Sequence, residues 1–243
     1  MVTGLADRFG EGPAGFLGGL PTMGALNLLS IGVTQSNAAA VQATTLFPLG
    51  FGSTFAFLLF YAAPKKLGFD ARMALAIGLW LPISALIALL APDDFTVSVV
   101  ASFGICIVAL MLRSRVSAPR VGFVATRAGA RATVYRGILG GAVVISVATL
   151  SAVSGPLVGG VFSAAPAIWS SSLYVMSRTK GVEFSRSLTW TFMVAGILTV
   201  TPYGIAARYF FSVAGVWWGT LFSYLCISPL ALVAWKLTRR RKG

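Results

Sequence analysis

Residues 40–62 read AVQATTLFPLGFGSTFAFLLFYA. The stretch carries no charge and matches the roughly 20 residues a helix needs to cross the hydrocarbon core of a bilayer. A strand of a membrane barrel would alternate polar and apolar residues over about 10 positions. The run Phe55-Ala56-Phe57-Leu58-Leu59-Phe60-Tyr61 shows no such alternation. The segment is therefore predicted to be a spanning helix, and the chain around it an all-α membrane protein.

Seven further segments pass the same test: 15–33, 73–91, 95–112, 134–153, 156–176, 188–207 and 211–235. Turn chemistry separates several of them, as in Gln35-Ser36-Asn37, Pro64-Lys65-Lys66, Pro92-Asp93-Asp94 and Ser154-Gly155-Pro156. Composition agrees. Of 243 residues, 57% are hydrophobic and 10% charged, against about 25% charged in soluble domains. Mean hydropathy is +0.86. Too little polar surface is left for a sizeable soluble domain.

The 19 lysines and arginines fall on alternate sides of these eight spans. All but Arg208 lie at the N-terminus, in the loops after the second, fourth and sixth spans, or in the tail. This is a positive-inside pattern, and it predicts that both termini are cytoplasmic in a multi-pass protein of the plasma membrane. The first residues are not expected to be a cleaved secretory signal, because Asp7 and Glu11 dilute their charge. The net charge of +13 then reports topology and contact with anionic lipid headgroups on the cytoplasmic side. Nucleic acid is not an expected partner; self-association is left open.

The two halves echo each other. Leu17-Gly18-Gly19 is matched by Leu139-Gly140-Gly141, Phe47-Pro48 by Ala165-Pro166, and Pro82 by Pro202. The loops Gly68-Phe69-Asp70-Ala71-Arg72 and Gly181-Val182-Glu183-Phe184-Ser185-Arg186 recur in the same order. The pattern predicts two parallel four-helix repeats, residues 1–113 and 134–243, joined by a basic cytoplasmic linker, residues 114–133. Gly19 and Gly141 are expected to mark equivalent close helix contacts. From Val134 onward, the glycine and proline landmarks with Ser177-Arg178-Thr179-Lys180-Gly181 and Thr201-Pro202-Tyr203 resemble the GlpM-like small inner-membrane proteins. That resemblance implies a multi-pass membrane protein of unsettled biochemical role, here duplicated in tandem.

Several function classes are disfavoured by what the residues permit. Histidine is absent, and the six carboxylates, Asp7, Glu11, Asp70, Asp93, Asp94 and Glu183, all lie at loops or termini. No general base, metal cluster or membrane-depth proton carrier is indicated. Asp93-Asp94 reads as helix capping in a short turn. Ser170, Ser171 and Ser172 lack an activating base, and no phosphate-cradling glycine loop is present. No catalysis, cofactor or metal is expected. Cys106 and Cys226 read as packing residues, and Arg208 as a side chain snorkelling to the headgroups.

The spans do hold uncharged polar groups, which read either as interhelical hydrogen bonds or as the lining of a cavity. The candidate cavity residues are Asn27, Gln42, Thr45, Pro48, Pro166 and Trp169. Kinks at Pro48 and Pro166, with Thr44, Thr45 and Ser163 to satisfy freed carbonyls, would open a pocket between the halves. The expected function is transport of a neutral or amphipathic solute or lipid. The alternative is a non-transporting scaffold or accessory subunit of a membrane complex.

Overall fold

The computed structural model describes residues 21–64, 66–116 and 130–239. Among them every regular element is helical: α1 (Thr22–Thr34), α2 (Asn37–Ala43), α3 (Phe47–Ala62), α4 (Phe69–Leu90), α5 (Phe95–Arg115), α6 (Ala130–Ser154), α7 (Pro156–Ser163), α8 (Ala167–Lys180) and α9 (Val182–Arg239). Gly19 and most of the basic linker lie outside the described residues.

The centre is α3, thirteen of whose sixteen residues are buried. It packs against α4, α5, α7 and α9. Apart from Trp80, the two long helices beside it show an inward stripe that is small or polar. In α4 the buried residues are Arg72, Ala76, Trp80 and Ser84, four apart. In α5 they are Ser98, Ser102, Cys106, Ala109 and Arg113. Their outward faces carry exposed Leu81, Leu86, Leu89, Leu90, Val100, Ile107 and Met111. A water-soluble helix has the opposite arrangement. Small residues inside and leucines outside suit a helix whose outer solvent is hydrocarbon.

Three described helices are long and apolar enough to cross a bilayer: Phe69–Leu90, Phe95–Arg115 and Val182–Leu237. A fourth candidate is α2 with α3, bent by 47° at the break between them. Local chemistry sets the ends. Ser36 caps α2 by accepting from the Ala39 amide at 3.0 Å, and Asp94 caps α5 by accepting from Val97 at 2.9 Å. The capping expected of the acidic turn thus falls to Asp94. Gly155 turns the chain from α6 into α7 at φ 93°, a conformation open to glycine without strain.

Two expectations about boundaries change. The sequence places a division between segments 188–207 and 211–235 at residues 208–210, but helical backbone continues through Arg208 and breaks at Gly215, φ 71°. The positive φ needs a glycine, whereas Arg208-Tyr209-Phe210 has no such requirement. Gly141 marks no close contact, since a Cβ there meets nothing within 4 Å. Glycines that do lie against the backbone of another helix include Gly50, at Val161, and Gly160, at Ala43.

Candidate functional site

Both helices that carry the mid-span prolines are broken. In the first, α2 ends in a tight turn: the Thr44 amide donates to the carbonyls of Ala40 and Val41, and the Thr45 amide to Gln42 at 3.0 Å. Pro48 sits in the first turn of α3, where a missing N–H costs no helical bond. The neighbouring Leu49 amide, an orphan donor of that turn, is met by Ser98 Oγ at 3.2 Å. In the second, α7 ends at Ser163 and α8 begins after Pro166, its N-cap residue. Neither proline therefore kinks a continuous helix.

The two breaks meet. A Cβ at Gly160 would overlap the Ala43 carbonyl oxygen, and one at Gly50 would overlap the Val161 carbonyl. Carbonyls freed at the second break are taken by side chains from the first half. Asn27 Nδ2 donates to the Ser163 oxygen at 2.9 Å, and Thr54 Oγ1 to the Ala164 oxygen at 2.7 Å. Hydroxyls within each break contribute as well, Thr44 to the Val41 carbonyl at 2.6 Å and Ser163 to Gly159 at 2.7 Å. Asn27 is fully buried, and its Oδ1 has no hydrogen-bond partner.

A cavity of about 70 Å³ opens beside the second break. Residues from both halves line it, including Phe47, Phe51, Thr54, Pro166, Trp169 and Thr199, and among the described residues none that lines it is charged. Trp169 stacks on Phe192, ring centres 5.7 Å apart, and meets the edge of Phe51 at 5.8 Å. The walls are thus aromatic with a few hydroxyls, a chemistry that accepts apolar or net-neutral groups.

Of the six candidate residues, Pro166 and Trp169 line this cavity. Asn27 holds the adjoining break, and Pro48 is buried against Gly204, where a Cβ would lie 3.7 Å from its ring. Gln42 and Thr45 line a separate, open recess together with Asp93 and Arg208. Arg208 does not snorkel there. Its Nη1 donates to Thr45 Oγ1 at 2.9 Å and to the Val41 carbonyl at 3.4 Å, and the guanidinium lies 4.6 Å from the centre of the Phe95 ring. A cation at the C-terminal end of α2 is also where the helix dipole favours it.

At the other end of α4, about 33 Å away by its 22 residues, three arginines are buried: Arg72, Arg113 and Arg186. Arg186 donates through Nε and Nη2 to the Ala62 carbonyl at 3.0 and 2.8 Å, and through Nη1 to Glu183. Arg72 reaches the Tyr61 and Leu67 carbonyls, with Glu183 3.9 Å from its Nη2. Arg113 donates to Thr189 Oγ1 at 2.8 Å and to the Arg186 carbonyl at 3.2 Å. The cluster clasps the C-terminal end of α3 to the start of α9. Read as topology signals alone, these arginines were missed as a structural unit. The signal was the recurrence of an arginine late in both glycine-led loops.

No family model, curated protein or solved structure matches this chain.

Proposed function

We propose that the chain is a small multi-pass membrane carrier that moves a net-neutral or amphipathic solute through the region where its two broken helices meet. The observation that carries this reading is the backbone contact between the breaks, at Gly160 and Ala43, beside a cavity lined from both halves. Discontinuous helices that meet near the midplane of a bilayer are how many secondary transporters build a solute site, because unwound backbone supplies polar groups only where protein surrounds it. An uncharged lining suits a solute without net charge. On this reading the chain has eight spans in two parallel four-helix repeats, with both termini on the cytoplasmic side of the plasma membrane. It would then be a duplicated relative of the GlpM-like proteins.

The order of elements supports the duplication. A straight helix, a broken helix and two further helical stretches occur in each half, the last pair of the second half divided at Gly215. The test is uptake into liposomes holding the purified protein, across a panel of amino acids, polyols and short-chain lipids. Saturable movement of one class is expected, and it should be lost in Ala195→Phe, which fills the cavity from its wall. If the protein is inert across the panel, the carrier reading falls and the accessory-subunit reading replaces it.

A further inference from the structure

We infer that the recess between α2, the α4–α5 turn and Arg208 binds a zwitterion, with the anionic group on Arg208 and the ammonium beside Asp93. Arg208 and Asp93 line the same recess of about 510 Å³. They form no ion pair within 4 Å among the described residues. A cation and a carboxylate that share one recess ordinarily meet; here they are held apart.

Arg208 is held in place by α2 and by the first residue of α5. Its Nη1 is anchored by Thr45 and the Val41 carbonyl, and its face rests on Phe95. Its Nε and Nη2 have no hydrogen-bond acceptor among the described residues. The group is half-buried and preorganised, with donors left for a ligand oxygen. Two unused nitrogens of a guanidinium, Nε and Nη2, suit a carboxylate or phosphate, which can accept from both at once.

Asp93 decides the class. It is exposed in the turn ahead of the capping residue Asp94 and has no capping hydrogen bond of its own. A simple anion on Arg208 would face this carboxylate, and a simple cation beside Asp93 would face the guanidinium. A molecule with both charges satisfies both groups and carries none in net. Gln42 and Thr45 add an amide and a hydroxyl to the lining of the same recess. Two sources share the chemistry: a free amino acid, and the phosphate-ammonium head of a phosphatidylethanolamine.

The solute's passage inward rests on the carrier reading; its binding does not. The experiment is therefore equilibrium binding to purified protein in a non-ionic maltoside detergent, without vesicles. The probes are alanine, propionate, propylamine, dihexanoyl-phosphatidylethanolamine and dihexanoyl-phosphatidylglycerol. At least one zwitterion is expected to bind ten times more tightly than the singly charged probes. Alanine alone points to a free solute, phosphatidylethanolamine alone to a headgroup. Arg208→Lys keeps the charge but loses the fork, and should weaken binding about tenfold. Asp93→Asn, at an exposed turn capped by Asp94, should abolish the preference for alanine over propionate. If propionate binds as well as alanine and Asp93→Asn leaves it unchanged, or if no zwitterion binds, the inference is overturned. Uptake without such binding removes this site; binding without uptake removes the carrier.

Discussion

The backbone of Gly160 lies against the carbonyl oxygen of Ala43, so close that a Cβ at Gly160 would overlap it. The contact joins α7 to the end of α2 and sets how the two breaks face each other. Because the clash is with backbone, no rotamer change relieves it. Gly160→Leu is expected to lower stability in detergent by about 1–3 kcal/mol or more, as overpacking does. Gly141→Leu should leave thermal unfolding unchanged, because its Cβ meets open space. Equal melting shifts in the two variants would contradict this packing.

The crossing hydrogen bonds give a second expectation. Thr54 donates to the Ala164 carbonyl and Asn27 to the Ser163 carbonyl, both buried. Thr54→Val keeps the shape but leaves a buried acceptor unmet, at about 1–3 kcal/mol. Thr54→Ser keeps the donor and should recover most of that loss. Denaturation in mixed micelles would compare the three proteins; a valine variant as stable as the serine one would show that Thr54 does not hold the break.

Much of this was legible in the sequence, and the remainder was not, for physical reasons. Helical spans follow from long apolar runs, and Ser36 and Asp94 announce the starts of α2 and α5. Pro48 and Pro166 mark the two breaks in the sequence, because a proline suits the start of a helix and not its interior. The partners that stabilise each failure are not local. Asn27 lies 136 positions from Ser163, and Thr54 lies 110 from Ala164. Arg208 looked like a headgroup anchor because nothing near it in the chain reveals α2 or Phe95. Arg72, Arg113 and Arg186 looked like topology signals because a buried and an exposed arginine read alike in one sequence.

The arginine clasp makes its own prediction. Arg186 uses three nitrogens, two on the Ala62 carbonyl and one on Glu183. Lysine is a point donor and cannot serve both places with that geometry. Arg186→Lys should therefore destabilise the protein, and Arg186→Met more so, by about 1–3 kcal/mol, since the buried Ala62 carbonyl then loses both its donors. Glu183→Gln should cost less, because Glu183 is largely exposed and the Ala62 bonds remain. Limited proteolysis of the α8–α9 joint would report the order of the three variants.

Topology is open to direct labelling. Lys66 and Asp93 flank opposite ends of α4. With both termini inside, Asp93→Cys should react with an impermeant thiol reagent added to intact cells, and Lys66→Cys only after the membrane is opened. The labelling is done in a Cys226→Ser background, because Cys226 is itself exposed. Reaction at Lys66→Cys from outside would reverse the assignment.

The last prediction separates the proline from the break. An interior proline usually costs a helix about 3 kcal/mol, so Pro166→Ala would ordinarily restore a continuous helix from α7 into α8. Here the Ser163 and Ala164 carbonyls already have partners in Asn27 and Thr54, and Gly160 is pinned against Ala43. To join α7 to α8, the chain would have to shift these carbonyls from buried donors, stranding the Asn27 amide and leaving the Thr54 hydroxyl only its long 3.4 Å contact with the Gly50 carbonyl. Pro166→Ala alone should therefore keep the break, and amide exchange at Ala167 to Trp169 should stay at the wild-type rate. Adding Thr54→Val removes one of the two anchors and tips the balance toward a continuous helix, which slows exchange at those amides. The same double variant should lose uptake in liposomes if the cavity beside the break is the solute's path. Slow exchange in Pro166→Ala by itself would mean that the proline alone makes the break, and that the hydrogen bonds from the first half only decorate it.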